Sequence, residues 1–335
     1  MRLRLFLTAW ALFAVFFATN VVREHYPAMA LVQRGDFVLD DYAGLHADIF
    51  EHDDGHHYVN NQVVASVVAA PVLFVFRPVL DALHERGLEA ARARGDSPPD
   101  GRETEYPGRA RFFAEASRRG LLLVFGAATG LTSVLVMAPG SALLVVLLFD
   151  VERRRGVGAR DAVLLALLGG FATPVLYRTT ILNHNQLMAL ATLSAYVLLS
   201  RRSDEDGGPR PSEFAWSGVL AGATLALDYS GVVSLLMLFG YALVRSHAVG
   251  GVRAAVRDGA VFVAGTLPPV LVLWGTQWAQ FGNPFLPAQS WMADLNEHVA
   301  TGYRGFGLPE PDLVLQNLFD PDWGLFAFGP LLLLA

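Results

Sequence analysis

Cysteine and lysine are both absent from the 335 residues. Without cysteine the chain has no disulfide, no thiolate metal ligand and no cysteine nucleophile. Without lysine it has no Schiff-base chemistry. All 25 basic residues are arginine, so a phosphate would be held by arginine, histidine, a backbone N–H or a metal. Charge is also scarce: 17% of residues are charged, where a soluble domain carries about a quarter. Apolar residues fill the space, at 53% of the chain with a mean hydropathy of +0.39. Apolar runs recur from residue 5 to the end, so no stretch is left for a separate soluble core, and residues 1–335 read as a single membrane domain. The net charge of −6 names no partner beyond the bilayer, and no nucleic-acid partner is expected.

A helix crosses the hydrocarbon core with about 20 apolar residues. The first candidate is Leu5 to Val22, behind the basic start Met1-Arg2-Leu3-Arg4, which places the N-terminus in the cytoplasm as a signal anchor; a cleaved signal peptide is the alternative. Further runs lie at Gly120 to Phe149, Ala162 to Tyr177, Ile181 to Ser200, Phe214 to Leu227, Ser230 to Val244 and Gly259 to Ala279. Another begins near Trp323, and the chain ends within that run, so further sequence is expected. The expected fold is an all-α polytopic helical bundle of about eight spans, with spans over 120–279 and a further one starting in 321–335. Arginine-rich connectors around Arg153 to Arg160, Arg201 to Arg210 and Arg245 to Arg257 belong inside by the positive-inside rule. The turns Arg178 to Asn185 and Asp228 to Tyr229 then face outward.

Residues 23–62, with eight acids against two arginines, form a large first outer loop with juxtamembrane helices, and 280–320 a second long outer loop. Val63 to Phe76 is too short for a span and stops at Arg77-Pro78, so 63–83 is expected as a re-entrant or interfacial helix, followed by a flexible insertion over 84–119. The alternative makes Gly120 to Phe149 a hairpin turning at Pro139-Gly140.

Polar chemistry concentrates in the first outer loop. Glu24 follows the first span with Arg23 beside it to hold it ionised. His46, Asp48, His52, His56 and His57 supply donors for a divalent metal such as Zn²⁺ or Mn²⁺, with His46, His52 and His56 the candidate ligands. Their spacing matches no closed zinc signature, and a solvated Asp/His loop needs no ion. Arg178 and Asn183-His184-Asn185-Gln186 fall at an outer turn within reach of that loop, where they face a cavity or cap helix ends. Asp228 reads as a helix-end residue.

In order along the chain stand Thr19-Asn20 through Tyr26, Arg34-Gly35 with Leu39-Asp40-Asp41-Tyr42, Gly55-His56-His57-Tyr58 with Pro71, and Asn183-His184. Then come Gly218-Val219-Leu220-Ala221-Gly222, Phe281-Gly282-Asn283-Pro284-Phe285 and Asp320-Pro321-Asp322-Trp323-Gly324-Leu325-Phe326. This series resembles the C-type membrane glycosyltransferases that use polyprenyl-phosphate sugars, including the protein mannosyltransferases and aminoarabinose transferases. The resemblance implies transfer of a sugar from a polyprenyl-phosphate donor to a glycan, lipid or protein acceptor at the outer face of a bacterial inner membrane. It implies a carboxylate base in the first outer loop, with Glu24 first and Asp41 and Asp48 in reserve. It implies substrate binding by Arg23, Tyr26, Tyr42, Tyr58, Asn60, Asn61, Arg178 and His184. Relatives often carry Lys and Pro-Gly where this chain has Val59-Asn60-Asn61-Gln62-Val63-Val64, so Arg23 and Arg178 are left to hold the phosphate.

Other classes remain open at this point. A transporter or flippase of a lipid-linked or anionic substrate would place ionisable groups near the bilayer midplane. An inactive relative, serving as a membrane scaffold, would explain the missing Lys and Pro-Gly.

Overall fold

In the computed structural model, residues 1–95, 104–201, 209–292, 310–330 and 333 are described. The chain is mostly helical. Helix α1 spans Arg2–Val15 and α2 His25–Arg34. A two-stranded antiparallel hairpin follows, β1 Ile49–Glu51 and β2 His57–Val59, in the register Phe50 opposite Tyr58. Next come α3 Val64–Val75, α4 Arg77–Arg94 and α5 Pro107–Arg118. The continuous α6 runs Leu122–Arg154, and α7 Ala159–Phe171, α8 Pro174–Thr179, α9 His184–Leu199 and α10 Pro211–Leu227 follow. The long element α11, Gly231–Phe281, precedes the short helices α12 Pro311–Phe319 and α13 Leu325–Phe328.

Among the described residues, two helices are long and apolar enough to cross a membrane, α6 and α11, and the pair α3 and α4, bent by 83°, adds a third only if it is one span. At the other expected span positions α1, α7, α9 and α10 have 14, 13, 16 and 17 residues, short of the ~20 of a perpendicular crossing. Helix α11 is a hairpin. A straight 51-residue helix would be about 77 Å long, yet Phe239 and Phe262 meet at 5.6 Å and Ser246 donates to Asp258 at 2.6 Å. The chain reverses at Gly250-Gly251, where Gly251 takes φ 65°, a conformation cheap only for glycine. The arms are residues 231–249 and 252–281.

Three expectations give way to local chemistry. Helix α1 stops at Val15 instead of Val22, because Ala18 N–H donates to the Thr180 carbonyl and draws the chain across to another helix end. The run Ala162 to Tyr177 breaks at Pro174, which has no N–H to continue the helix, and Thr173 caps α8 by accepting from Val175 N–H. Residues 84–119, expected as a flexible insertion, are helical up to Arg94 and again from Pro107. These helices are held down by Leu80, Leu83 and Phe112 on the core and by the close approach of Gly87 to Gly120. Helix α6 passes straight through Pro139-Gly140, with a π-helical stretch at Ser133–Met137, so this segment forms no hairpin.

The first loop is a packed layer. Tyr26, Met29, Leu39 and Tyr42 bury against Phe125 at the start of α6 and against α3. This layer lies at the end of the bundle where α2, the Thr180 turn and the junction of α10 with α11 converge.

Candidate active site

Glu24 is the residue before α2. Its carbonyl accepts from Ser66 Oγ of α3 at 2.6 Å, so its backbone is fixed by the helix that α2 packs on. The bond from Ala18 to Thr180 brings this corner against the start of α9, where Asn183 caps the helix by accepting from Asn185 N–H at 2.9 Å and Gln186 N–H at 3.3 Å. These two anchors place Glu24 against a histidine 160 residues away. His184 Nδ1 lies 2.8 Å from Glu24 Oε1, both side chains being buried. An ionised carboxylate only accepts, so the proton of this bond sits on Nδ1. The other imidazole nitrogen, Nε2, is 3.7 Å from Asp228 Oδ2.

Arg23 completes the group, with Nε 3.6 Å from Glu24 and Nη1 2.9 Å from Asp48. Asp48 also accepts from Asn60 Nδ2 at 3.5 Å and has His46 Nδ1 at 3.9 Å. Burial pushes the Glu24 carboxyl up. The bond from His184, the charge of Arg23 and the backbone together outweigh that and hold it below the usual carboxylate range. The result is a buried anion that stays ionised at neutral pH, with a cation and an imidazole on it.

The structure gathers Glu24, Asp48, Arg23, Asn60 and His184 from the expected set, with Asn61 next to Asn60 in the chain, and leaves the others elsewhere. Asp41 is exposed and paired with Arg34, away from Glu24. Tyr26 and Tyr42 are core residues: both are buried, their hydroxyls spent on the Leu45 carbonyl and the Gln33 amide, and their rings packed on Phe125. Tyr58 packs on Phe281 and donates to Asp54 at 3.2 Å. Arg178 is exposed and has no ion pair among the described residues. His46, His52 and His56 point to different partners. His46 lies by Asp48, His52 stacks among Tyr58, Phe281 and Trp291, and His56 binds Asp40 at 2.8 Å. No group of three or more His, Asp or Glu side chains converges on a metal position among the described residues, so these donors do not fit the divalent ion their sequence suggests.

Of the two amides that follow Asn60, Asn61 is among the substrate contacts the resemblance implies, and Gln62 had no expected role. Asn61 Nδ2 and both polar atoms of the Gln62 side chain are buried without a hydrogen-bond partner. Gln62 precedes Val64 and Ala65, which pack with Leu227, Leu187 and Tyr229 around the His184 and Asp228 corner. A buried unpaired amide costs about 1–3 kcal/mol. Asp228, read from sequence as a helix end, is indeed the cap residue of α10, and is also the second carboxylate on His184.

His25 is buried and uses both ring nitrogens. Nδ1 accepts from Val22 N–H at 3.1 Å, Nε2–H donates to Thr132 Oγ1 at 3.0 Å, and the Thr132 hydroxyl donates to the Ala128 carbonyl at 2.9 Å. This pattern takes a neutral ring, and burial, outweighing the pull of Glu24, lowers its pKa to about 4. The folded value lies below the unfolded one, so the unfolded chain binds the extra proton between roughly pH 6.5 and 4. The stabilisation is complete above that window and is lost as pH falls through it, by about 3 kcal/mol for this one ring. Melting in detergent from pH 7 to pH 4 is expected to show this loss. His25→Gln should start lower at pH 7 and depend on pH less; an unchanged slope would remove His25 as its source.

Comparison with protein-family models, with characterised proteins and with solved structures finds no match for this chain.

Proposed function

We propose that this chain is a polytopic membrane glycosyltransferase of the C-type, moving a sugar from a polyprenyl-phosphate donor to an acceptor hydroxyl at the outer face of the membrane. The observation that carries the reading is the buried, ionised Glu24 held by His184 and Arg23. In this reading α1, α7, α9 and α10 cross the bilayer as well as α6 and the two arms of α11, with local thinning at the shorter helices. The N-terminus lies in the cytoplasm of a bacterial cell, and the Glu24 corner faces outward.

The chemistry needs little more than a positioned base and a cation. Glu24 takes the acceptor proton as the acceptor oxygen forms its bond to the anomeric carbon. The bond from that carbon to the phosphate oxygen breaks, and polyprenyl phosphate departs with the electron pair. Arg23 lies beside the carboxylate, where it can steady the charge on the leaving phosphate. His184 fixes the Glu24 rotamer. The unpaired amides of Asn61 and Gln62 supply donors and acceptors of the kind sugar hydroxyls use.

The purified chain in nanodiscs, given a panel of polyprenyl-phosphate sugars and membrane extract as acceptor, is expected to release free polyprenyl phosphate. Failure to consume any donor in that panel would sink the reading. A transporter would instead move the intact donor between leaflets without breaking the bond.

A further inference from the structure

At the end of α9 opposite His184, roughly 24 Å away along the helix, six arginines line one cavity of about 830 Å³. They are Arg2 of α1, Arg154 and Arg155 of α6, Arg201 after α9, Arg210 before α10 and Arg245 of the first α11 arm, with Glu213 the one acid among the lining residues. The connectors that carry them are far apart in sequence, and the bundle brings them together. Arg2 pairs with Asp150 at 2.7 Å, Arg201 with Glu213 at 3.5 Å and Arg155 with Glu152 at 3.7 Å. Arg154, Arg210 and Arg245 have no acidic partner among the described residues.

Two of these three are held in place without being neutralised. Arg154 Nη1 donates to the Val197 carbonyl at 3.0 Å and to Ser200 Oγ at 3.2 Å, and Arg245 Nη2 donates to the Arg201 carbonyl at 3.2 Å. The Nε of Arg245 is buried with no partner. Fixed guanidinium forks around a common space are suited to phosphate oxygens, and their mutual repulsion falls when an anion enters.

The cavity borders an apolar groove. Tyr196 lines both; the groove, of about 690 Å³, lies between α9 and the first α11 arm, walled by Met188, Thr192, Leu193, Met237 and Leu238. The groove reaches Asn185, about 16 Å along α9. A basic cavity beside an apolar groove, with Tyr196 on both, matches a molecule with an anionic head and a hydrocarbon tail. We propose that this is a binding site for an anionic phospholipid of the leaflet opposite the Glu24 corner, its phosphate on Arg154, Arg210 and Arg245 and one acyl chain along the α9 groove. It is distinct from the proposed donor position, since the two phosphates would lie at opposite ends of α9. It rests on the membrane reading alone, not on sugar transfer.

The test uses the full chain in neutral detergent, with dioleoylphosphatidylglycerol, dioleoylphosphatidylcholine or inorganic phosphate added, read by native mass spectrometry and thermal shift. Phosphatidylglycerol is expected to stay bound and raise Tm, and phosphatidylcholine to do neither. Each arginine at an anionic lipid contributes about fivefold. Arg154→Gln/Arg210→Gln/Arg245→Gln should therefore weaken phosphatidylglycerol roughly 100-fold. Met237→Trp, at an exposed groove position, should weaken the lipid and leave any response to inorganic phosphate unchanged; it serves where the triple variant does not fold. Equal binding of phosphatidylcholine, undiminished binding by both variants, or a full thermal shift from inorganic phosphate alone would overturn the proposal. Asp204-Glu205-Asp206, outside the described residues, are the rival occupant; if they neutralise the arginines, the native chain takes up no phosphatidylglycerol, which overturns it too. None of these outcomes bears on transfer at Glu24.

Discussion

Glu24→Gln is expected to lower sugar transfer by at least ~100-fold, the lower range for loss of a general base, while the melting temperature and donor-lipid binding stay close to those of the native chain. The amide has the size of the carboxylate, and its carbonyl oxygen can still accept the 2.8 Å bond from His184 Nδ1–H. Arg23 keeps its 2.9 Å pair with Asp48, so the corner loses one charge without losing its scaffold. What disappears is the ability to take the acceptor proton. Asp41→Asn is the control: this carboxylate is exposed and bound to Arg34, and the change should leave transfer within about twofold. The native rate should hold down to the lower edge of the usual carboxylate range and fall below it, because the Glu24 pKa is depressed and the base is lost only as pH drops through that value. Full activity in Glu24→Gln, measured as release of polyprenyl phosphate, would exclude Glu24 as the base.

Glu24 was legible because a carboxylate just past an apolar run is conspicuous when charge is scarce. Its setting was not. The partner His184 comes from a turn 160 residues on, and what joins them includes a backbone bond from Ala18 to Thr180 that ends α1 early. No propensity scale reports such a bond. Tyr26 and Tyr42, substrate contacts only by the family resemblance, lie instead in the loop's own core around Phe125, which the order of motifs along the chain does not reveal. The Arg- and Ala-rich stretch up to Arg94, expected as part of the flexible insertion over 84–119, is helical because Ala, Arg, Leu and Glu are strong helix formers. The arginine connectors were legible as one face, since the positive-inside rule acts on each loop separately. Their convergence on a single cavity depended on how the helices pack.

The glycine pair Gly218 and Gly222 carries the second large effect, and it explains physically what the sequence offered only as a likeness. A Cβ on Gly218 would sit 2.0 Å from the Phe262 carbonyl oxygen, one on Gly222 2.7 Å from that of Thr266, and one on Gly265 2.2 Å from that of Ala215. Helix α10 and the second α11 arm therefore touch backbone to backbone, as small residues four apart allow in membranes. Gly218→Val should push them apart and cost about 3 kcal/mol, the upper end of the usual penalty for overpacking. Gly240, in the first arm, has nothing within 4 Å of its Cβ position, and this gives a test by sign. Gly240→Ala should stabilise by up to about 1 kcal/mol through helix propensity, whereas Gly218→Ala should destabilise despite the same propensity gain. Asp228 caps α10 and lies against His184, so displacing α10 should also move the second carboxylate off the imidazole and reduce transfer. If Gly218→Val melts with the native chain in detergent, the two helices are not in backbone contact. The route by which the glycine pair supports the Glu24 corner would then be lost.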